Sequence, residues 1–280
     1  MTLILFNPYA NNRDIASALE GVRAYAAGHD TVEKDLTKVD VSAEICALSQ
    51  SDRVIICGGD GTIMRLANAL DGKCFSVPVY FWKSGTGNDF LRDLDWDKEN
   101  EPVLLNSYLQ NLPRVEVNGK TYRYVNGVGF GLDGTVTEVT DAMKEKGVEK
   151  IDYTKESIKL VLFKFKCPSG TVTVDGVSKH YKKIWLASAM YGKYYGGGMR
   201  VAPDQVRGGD TLTCSVWHTT GRLVTLMHFP KIFDGTHVQY KKSIDMFTGK
   251  RITVEFDKPC ALQIDGETIS GVTTYTAWID

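Results

Sequence analysis

The sequence has almost no charge of either sign in excess. Lys and Arg number 33 against 34 Asp and Glu, a formal net charge of −1 over 280 residues. Such a balance gives a general nucleic-acid role no electrostatic support. Close cysteine pairs are also missing. The six cysteines stand at 46, 57, 74, 167, 214 and 260 with no CxxC among them, which leaves no zinc-type or redox spacing and suits a reducing cytoplasm. Long apolar runs are missing as well. The stretch Ile184–Met190, interrupted only by Ser188, is among the longest, far below the roughly 18 residues that span a bilayer, so any membrane contact is expected to be peripheral. The opening "MTLILFNPYA" has no basic n-region and predicts a first strand, not a signal peptide. There is no low-complexity linker, no repeat of fixed period and no G-x-x-x-x-G-K-[ST]. The histidines 29, 180, 218, 228 and 237 show no metal-ligand spacing.

What is present divides into two rhythms. The hydrophobic fraction of 43% and charged fraction of 24% are those of a globular chain long enough for one large or two ordinary domains. Up to about Pro113, strand and helix alternate: "LILF", the helical spacing of Ile15, Leu19, Val22 and Ala26, "TVEKDLT", "VSAEICALSQ", "RVIIC", the face Ile63, Leu66, Ala67 and Leu70, then "VPVYFW". Alternation with continuous apolar strands predicts an open, mostly parallel sheet of Rossmann-like α/β type with helices on both faces. Beyond Pro113 the pattern becomes strand, two-residue turn, strand, around Asn118-Gly119 and Asp175-Gly176, with "TLTCSVW" and "RITVEF" alternating as half-buried strands. Thr135–Lys166 reads as a partly helical insert. The expected domains are 1–113, of α/β type, and 114–280, a mainly antiparallel β-sandwich.

The first candidate site is Gly58-Gly59-Asp60-Gly61-Thr62, between an apolar strand and a helix. In an open parallel sheet ligands bind at that edge. Glycines let backbone amides approach a phosphate, and a helix N-terminus adds unpaired donors. Thr62 is placed to cap the helix or meet a phosphate. Asp60 would repel phosphate unless it organises Mg²⁺ or its water. The plain alternative is an Asp-Gly turn, and Asp-Gly recurs at 71, 133, 175, 234 and 265. A second small, polar loop follows the next strand in "FWKSGTGNDFLRDL".

Gly58-Gly59-Asp60-Gly61-Thr62 followed by Gly85-Thr86-Gly87-Asn88-Asp89-Phe90 resembles the diacylglycerol kinase catalytic domain family, which includes bacterial lipid kinases and is related to sphingosine kinases. The likeness continues through "FNPYANN" at 6–12, where the family usually has Ser-Gly at Ala10-Asn11, and "VNGVGFGLDGTV" at 125–136, with Asp133 as the motif's acid. It goes on through "GGGMRVAPDQVRGGDTLTCSV" at 196–216, with Thr211 where glycine is usual, to "IDGE" at 264–267. Lys83 stands where the family has proline. The resemblance implies an ATP-dependent phosphotransferase of phospholipid biosynthesis acting on a lipid hydroxyl. It implies that Gly58 to Thr62, Thr86 and Asn88 hold ATP, that Asn7 and Thr37 approach the nucleotide, and that Asp60, Asp89 and Asp265 hold the catalytic Mg²⁺. Glu267 corresponds to the general base; its plain reading is an exposed residue of a hairpin turn. A second, structural Mg²⁺ would take the Asp210 carboxylate and the carbonyls of Arg207 and Leu212, against the alternative of a metal-free surface turn.

Two other readings stand beside the lipid kinase. One is a NAD kinase-like enzyme, which shares a GGDGT loop; the Gly-Thr-Gly-Asn-Asp-Phe loop and the late Asp-Gly-Glu favour the lipid branch. The other is a non-catalytic nucleotide- or lipid-binding protein. The acceptor is open among diacylglycerol, sphingoid bases and phosphatidylglycerol, and so is the oligomeric state, a homodimer included. From Lys159 to Arg200 eight basic residues face one acid, Asp175, so peripheral contact with an anionic membrane is expected of an otherwise cytoplasmic protein.

Overall fold

The computed structural model describes residues 1–280 apart from 9–14, 72, 74, 85–87, 99, 149, 150, 152 and 161–163; the side chains of 153, 154 and 157 also lie outside the described residues. The chain divides into two compact units, Met1–Leu112 and Pro113–Asp280.

In the first unit the alternation is β1 Thr2–Phe6, α1 Ala16–Tyr25, β2 Thr31–Asp35, α2 Val41–Cys46, β3 Arg53–Gly58, α3 Asp60–Ala69, β4 Val79–Lys83, α4 Asp89–Asp93 and β5 Val103–Leu104. The sheet runs β2-β1-β3-β4-β5. All pairs are parallel except β4 with β5. Helix α1 buries Leu19 and Val22 against Ile4, Ile55, Cys57 and Trp82. Leu3, Leu5, Val54 and Ile56, the alternate strand positions, are equally buried, so both faces are covered, as continuous apolar strands require. Strand β2 is the exception: Thr31, Val32 and Glu33 are exposed at the sheet edge. From β1 the chain crosses to β2 on one side, and from β3 to β4 on the other. The switch point therefore lies between the carboxyl ends of β1 and β3, where open α/β sheets bind ligands.

The second unit holds β6 Arg114–Val117, β7 Lys120–Arg123, β8 Gly127–Gly131, α5 Leu132–Glu145, α6 Tyr153–Lys159, β9 Gly170–Val174, β10 Val177–Tyr181, β11 Ile184–Met190, β12 Leu212–His218, α7 Arg222–His228, β13 Ile244–Gly249, β14 Arg251–Ile264 and β15 Glu267–Trp278. Its ladder is antiparallel throughout and runs β13-β12-β11-β8-β14-β15-β6-β7, with β9 joining β14 to β10. Asn118-Gly119 and Asp175-Gly176 form the expected two-residue turns with positive φ. The long strand β14 slips register between Glu255 and Leu262, around Pro259. Proline is tolerated at such an interruption because no ladder hydrogen bond is required of it. Phe130 of β8 stacks on Phe256 of β14, with ring centroids 3.9 Å apart. One face is covered by a separate core in which Leu132 and Val136 of α5 meet Leu160, Phe165, Trp185 and Ile232.

Candidate active site

The glycine loop occupies the switch point. Strand β3 ends at Gly58, Gly59 is the N-cap residue of α3, and Asp60, Gly61 and Thr62 form the first helical turn. A side chain at Gly58 would collide with Thr62, whose Oγ1 lies 2.2 Å from the position of an added Cβ. Gly59 differs: its φ of −114° suits any residue, and an added Cβ would come no nearer than 3.7 Å to the Ser84 carbonyl. The fold therefore demands glycine at 58 and does not demand it at 59. Among the described residues, the amides of Asp60 and Gly61 have no partner, as expected at a helix start. Thr62 makes no cap bond. Its side chain is buried, and Oγ1 accepts from Asn7 Nδ2 at 3.3 Å. Asn7, just past β1, also donates its backbone N–H to the Cys57 carbonyl, so the β1 and β3 ends are fastened side by side.

Asp60 ties this loop to the next. Its Oδ2 accepts the Asp89 N–H at 2.8 Å and its Oδ1 the Phe90 N–H at 3.0 Å. A residue in the first turn of α3 thus caps α4 from outside, replacing the partners that helix-start amides lack. Asn88, the N-cap of α4, is buried in the left-handed region at φ 42°. Asp89 is buried, and its Oδ1 accepts from Arg92 Nη1 at 2.8 Å. Thr86 lies outside the described residues. Thr37 follows β2 and holds its own turn, donating both N–H and Oγ1–H to Asp35 Oδ1, an arrangement that lowers the Asp35 pKa.

In the second unit, Asp265 and Gly266 (φ 46° and 92°) make the two-residue turn between β14 and β15. The buried Asp265 carboxylate accepts three backbone amides, those of Val125, Asn126 and Gly127, at 2.6–2.9 Å. It acts as a brace across the start of β8. Gln263 Oε1 accepts the Gly266 N–H at 2.8 Å. The turn is thereby fixed on both sides, and Glu267 stands exposed as the first residue of β15. The next residue, Thr268, donates to Asp141 on α5.

Asp133, carried by the glycine-rich motif, stands in the first turn of α5 and is buried. Tyr195 donates to its Oδ2 at 2.7 Å and the Gly134 amide to its Oδ1 at 3.0 Å. Burial outweighs both bonds and raises its pKa to about 6. Gly129 makes room for it, since a Cβ there would sit 1.7 Å from Asp133 Oδ2.

The proposed second metal site shows a different engagement. Arg207 donates its guanidinium to the Val125 carbonyl and to Asn126 Oδ1. Asp210 is largely exposed and paired with Lys250 at 3.1 Å, which lowers its pKa. Leu212 begins β12 opposite Gly249. No cluster of three or more His, Cys, Asp or Glu side chains poised for a metal occurs among the described residues, and none of their helices is long and apolar enough to cross a membrane.

Comparison with known proteins matches both halves. Residues 1–118 match the diacylglycerol kinase catalytic domain, and residues 126–277 match the YegS C-terminal NAD kinase beta sandwich-like domain. A Staphylococcus haemolyticus protein named "Putative lipid kinase" is 28% identical over 227 residues, covering 78% of this chain and 71% of that protein. A Mycobacterium tuberculosis protein named diacylglycerol kinase is 22% identical over 196 residues, 68% of this chain and 62% of the relative. A crystal structure of a diacylglycerol kinase from Bacillus anthracis superposes with a TM-score of 0.69 at 22% identity, covering 99% of this chain and 93% of the other; at that identity the likeness is one of fold.

Proposed function

Because this chain belongs to the kinase family that joins a diacylglycerol kinase catalytic domain to a YegS C-terminal domain, we propose that it transfers the γ-phosphoryl group of ATP to a lipid hydroxyl, with diacylglycerol as the leading acceptor. The observation that carries this reading is Gly59. A glycine that neither φ nor the surrounding atoms require stands at the switch point of the sheet, beside the open amides of a helix N-terminus. Space for a phosphate explains it. The remaining parts follow from position: Asn7 past β1 and Thr37 past β2 flank the same sheet edge, and Asn88 directly precedes the amides that Asp60 fastens there; Thr86, two residues earlier in the sequence, is assigned to ATP by the family resemblance alone.

The residues present fit a nucleotide. They fit Mg²⁺ through Asp60, whose two amide bonds leave lone pairs on both oxygens; Asp60, with Asp89 beside it, would hold the ion through water, and the ion would neutralise charge on the phosphates. Asp265 keeps its part as a brace. In the reaction the acceptor hydroxyl oxygen bonds to the γ-phosphorus, the bond from that phosphorus to the bridging oxygen breaks, ADP departs, and the hydroxyl proton passes to Glu267. Such chemistry depends mainly on positioning and charge, and an exposed carboxylate on a braced turn is suited to take a proton.

The test is transfer of label from γ-labelled ATP to a total lipid extract, to purified diacylglycerol, sphingosine and phosphatidylglycerol, and to NAD. A labelled lipid identified by mass supports the proposal. Labelled NAD with no labelled lipid replaces it by the nucleotide-kinase reading, and ATP binding with no transfer at all by a non-catalytic one.

A further inference from the structure

Four exposed large apolar residues lie in one short stretch. On α7, Leu223 and Met227 are 74% and 73% exposed and Val224 is 42% exposed, while Phe233, just beyond the following 3₁₀ turn at Phe229–Ile232, is 41% exposed. Leu223 and Met227 are one helical turn apart and share a face. The other side of the element is well anchored: Thr225, Phe229 and Ile232 are buried, and Leu226 packs on the core below α5. This is a firmly seated element that presents large side chains to water, which marks an interaction surface. Val177 and Val206, the other strongly exposed apolar residues, belong to separate segments.

The charge around the patch indicates what it meets. From Thr219 to Phe233 the sequence contains Arg222 and Lys231 and no acid. Arg222 Nη2 donates to the Phe165 carbonyl, which places exposed Lys164 and Lys166 beside the start of α7. The Thr219 N–H bonds the Lys183 carbonyl, which brings Lys183 to the same end. The first acid beyond, Asp234, accepts from Thr236 and also lies near Lys231, so Lys231 has less charge to offer than the lysines at the α7 start. Aliphatic and aromatic side chains ringed by cations match the interface of an anionic bilayer, where the first enter the acyl boundary and the second meet the phosphates. By contrast Lys179, on the β9–β10 hairpin, is already paired with Asp245 at 2.6 Å, so that part of the basic stretch has less charge to offer. We infer that Leu223, Met227 and Phe233, with the cations around them, form the surface by which this protein docks on anionic phospholipid membranes. The inference rests on the lipid-kinase reading, since that reading requires the enzyme to reach an acceptor held in a bilayer. The surface lies on the sheet face covered by α5, the helix that also receives Thr268 beside Glu267.

The experiment is co-sedimentation of the full chain with vesicles of phosphatidylcholine alone and of phosphatidylcholine with phosphatidylglycerol, at low and high salt. The wild type is compared with the triple variant Leu223→Ser, Met227→Ser, Phe233→Ser and with the double variant Lys164→Gln, Lys166→Gln. Leu223 and Met227 are largely exposed, whereas Phe233 also meets Phe229 edge-on at 6.1 Å; thermal unfolding checks each variant, and Leu223→Ser, Met227→Ser replaces the triple variant if that one is destabilised. Expected are binding that requires phosphatidylglycerol, a loss of at least about tenfold in the triple variant, and a weaker salt dependence in the double variant. Binding of the triple variant equal to wild type, equal binding to both vesicle types, or a patch occupied by a second copy of the chain, seen as a wild-type dimer that the triple variant abolishes, would each overturn the inference. Transfer to detergent-dispersed diacylglycerol separates the two readings: activity retained there with docking lost leaves the kinase proposal standing, and no activity there counts against the kinase proposal alone.

Discussion

The carboxylate of Asp60 accepts the backbone N–H of Asp89 at 2.8 Å across a sequence separation of 29 residues. With the Phe90 amide on its other oxygen, Asp60 fastens the start of α4 to the glycine loop. It has two duties, one structural and one proposed for the reaction.

Those duties separate by substitution. Asp60→Ala leaves two amides without their partner and should lower stability by about 1–2 kcal/mol. It should also reduce phosphoryl transfer by more than about a hundredfold. Asp60→Asn keeps one acceptor oxygen, so it should recover part of the thermal stability and none of the turnover. Melting curves and steady-state rates for the two variants decide the matter; full turnover in Asp60→Asn would leave Asp60 as a cap and nothing more.

Glu267→Gln should preserve ATP affinity and the fold while lowering turnover by about 10²–10⁴-fold, the usual contribution of a general base. Gln263→Leu touches the same turn without touching a substrate: it removes the acceptor of the Gly266 N–H and should cost about 1–3 kcal/mol of stability. Calorimetric ATP binding beside the kinetics is the check. If affinity and turnover fall together in Glu267→Gln, that carboxylate is a nucleotide or metal contact.

Where local chemistry dictates structure, the sequence was legible. Continuous apolar strands gave the parallel sheet, Asn118-Gly119 and Asp175-Gly176 gave two hairpins, and the small residues between "RVIIC" and Ile63 located the β3–α3 loop. Strand β8, "GVGFG", was hidden because glycine carries no periodicity. Its glycines answer to distant atoms, as Gly129 does to Asp133. The α7 element and the 3₁₀ turns after it were not read at all, since a short element is held by the core under α5 more than by its own pattern. The family resemblance implies a share in holding metal for Asp265; its part as a brace, through three amide bonds to a strand start some 140 residues away, is one that no local pattern reveals.

Asp210 and Lys250 make a competition visible. A second Mg²⁺ at Asp210 with the Arg207 and Leu212 carbonyls would have to displace an ammonium 3.1 Å away. Mg²⁺ that binds the folded chain alone raises the unfolding temperature. The expected result is a Mg²⁺-dependent rise in wild type, a larger one at the same concentration in Lys250→Met, and none in Asp210→Asn. Equal shifts in all three would place the ion elsewhere, and no shift in any would leave the segment a metal-free turn.

The buried pair Asp133 and Tyr195 sets a pH dependence with a definite sign. Burial raises the Asp133 pKa from the ordinary 3.8 to about 6. Between those values the folded chain keeps a proton that the unfolded chain has released. Stability from this group is therefore greatest below the unfolded pKa, falls as pH rises through the window, and levels off above about 6. The full span amounts to roughly 3 kcal/mol. Asp133→Asn cannot ionise, so its stability curve should lack this fall. The amide cannot accept from both Tyr195 and Gly134 on separate oxygens, which costs about 1–3 kcal/mol at every pH and brings the two proteins close together near neutrality. The diagnostic is thus the slope of wild type minus variant between about pH 4 and 6, from denaturant unfolding at closely spaced pH values. A difference that stays constant across that window would mean the Asp133 carboxyl ionises at its ordinary pKa, with the Tyr195 and Gly134 bonds offsetting its burial.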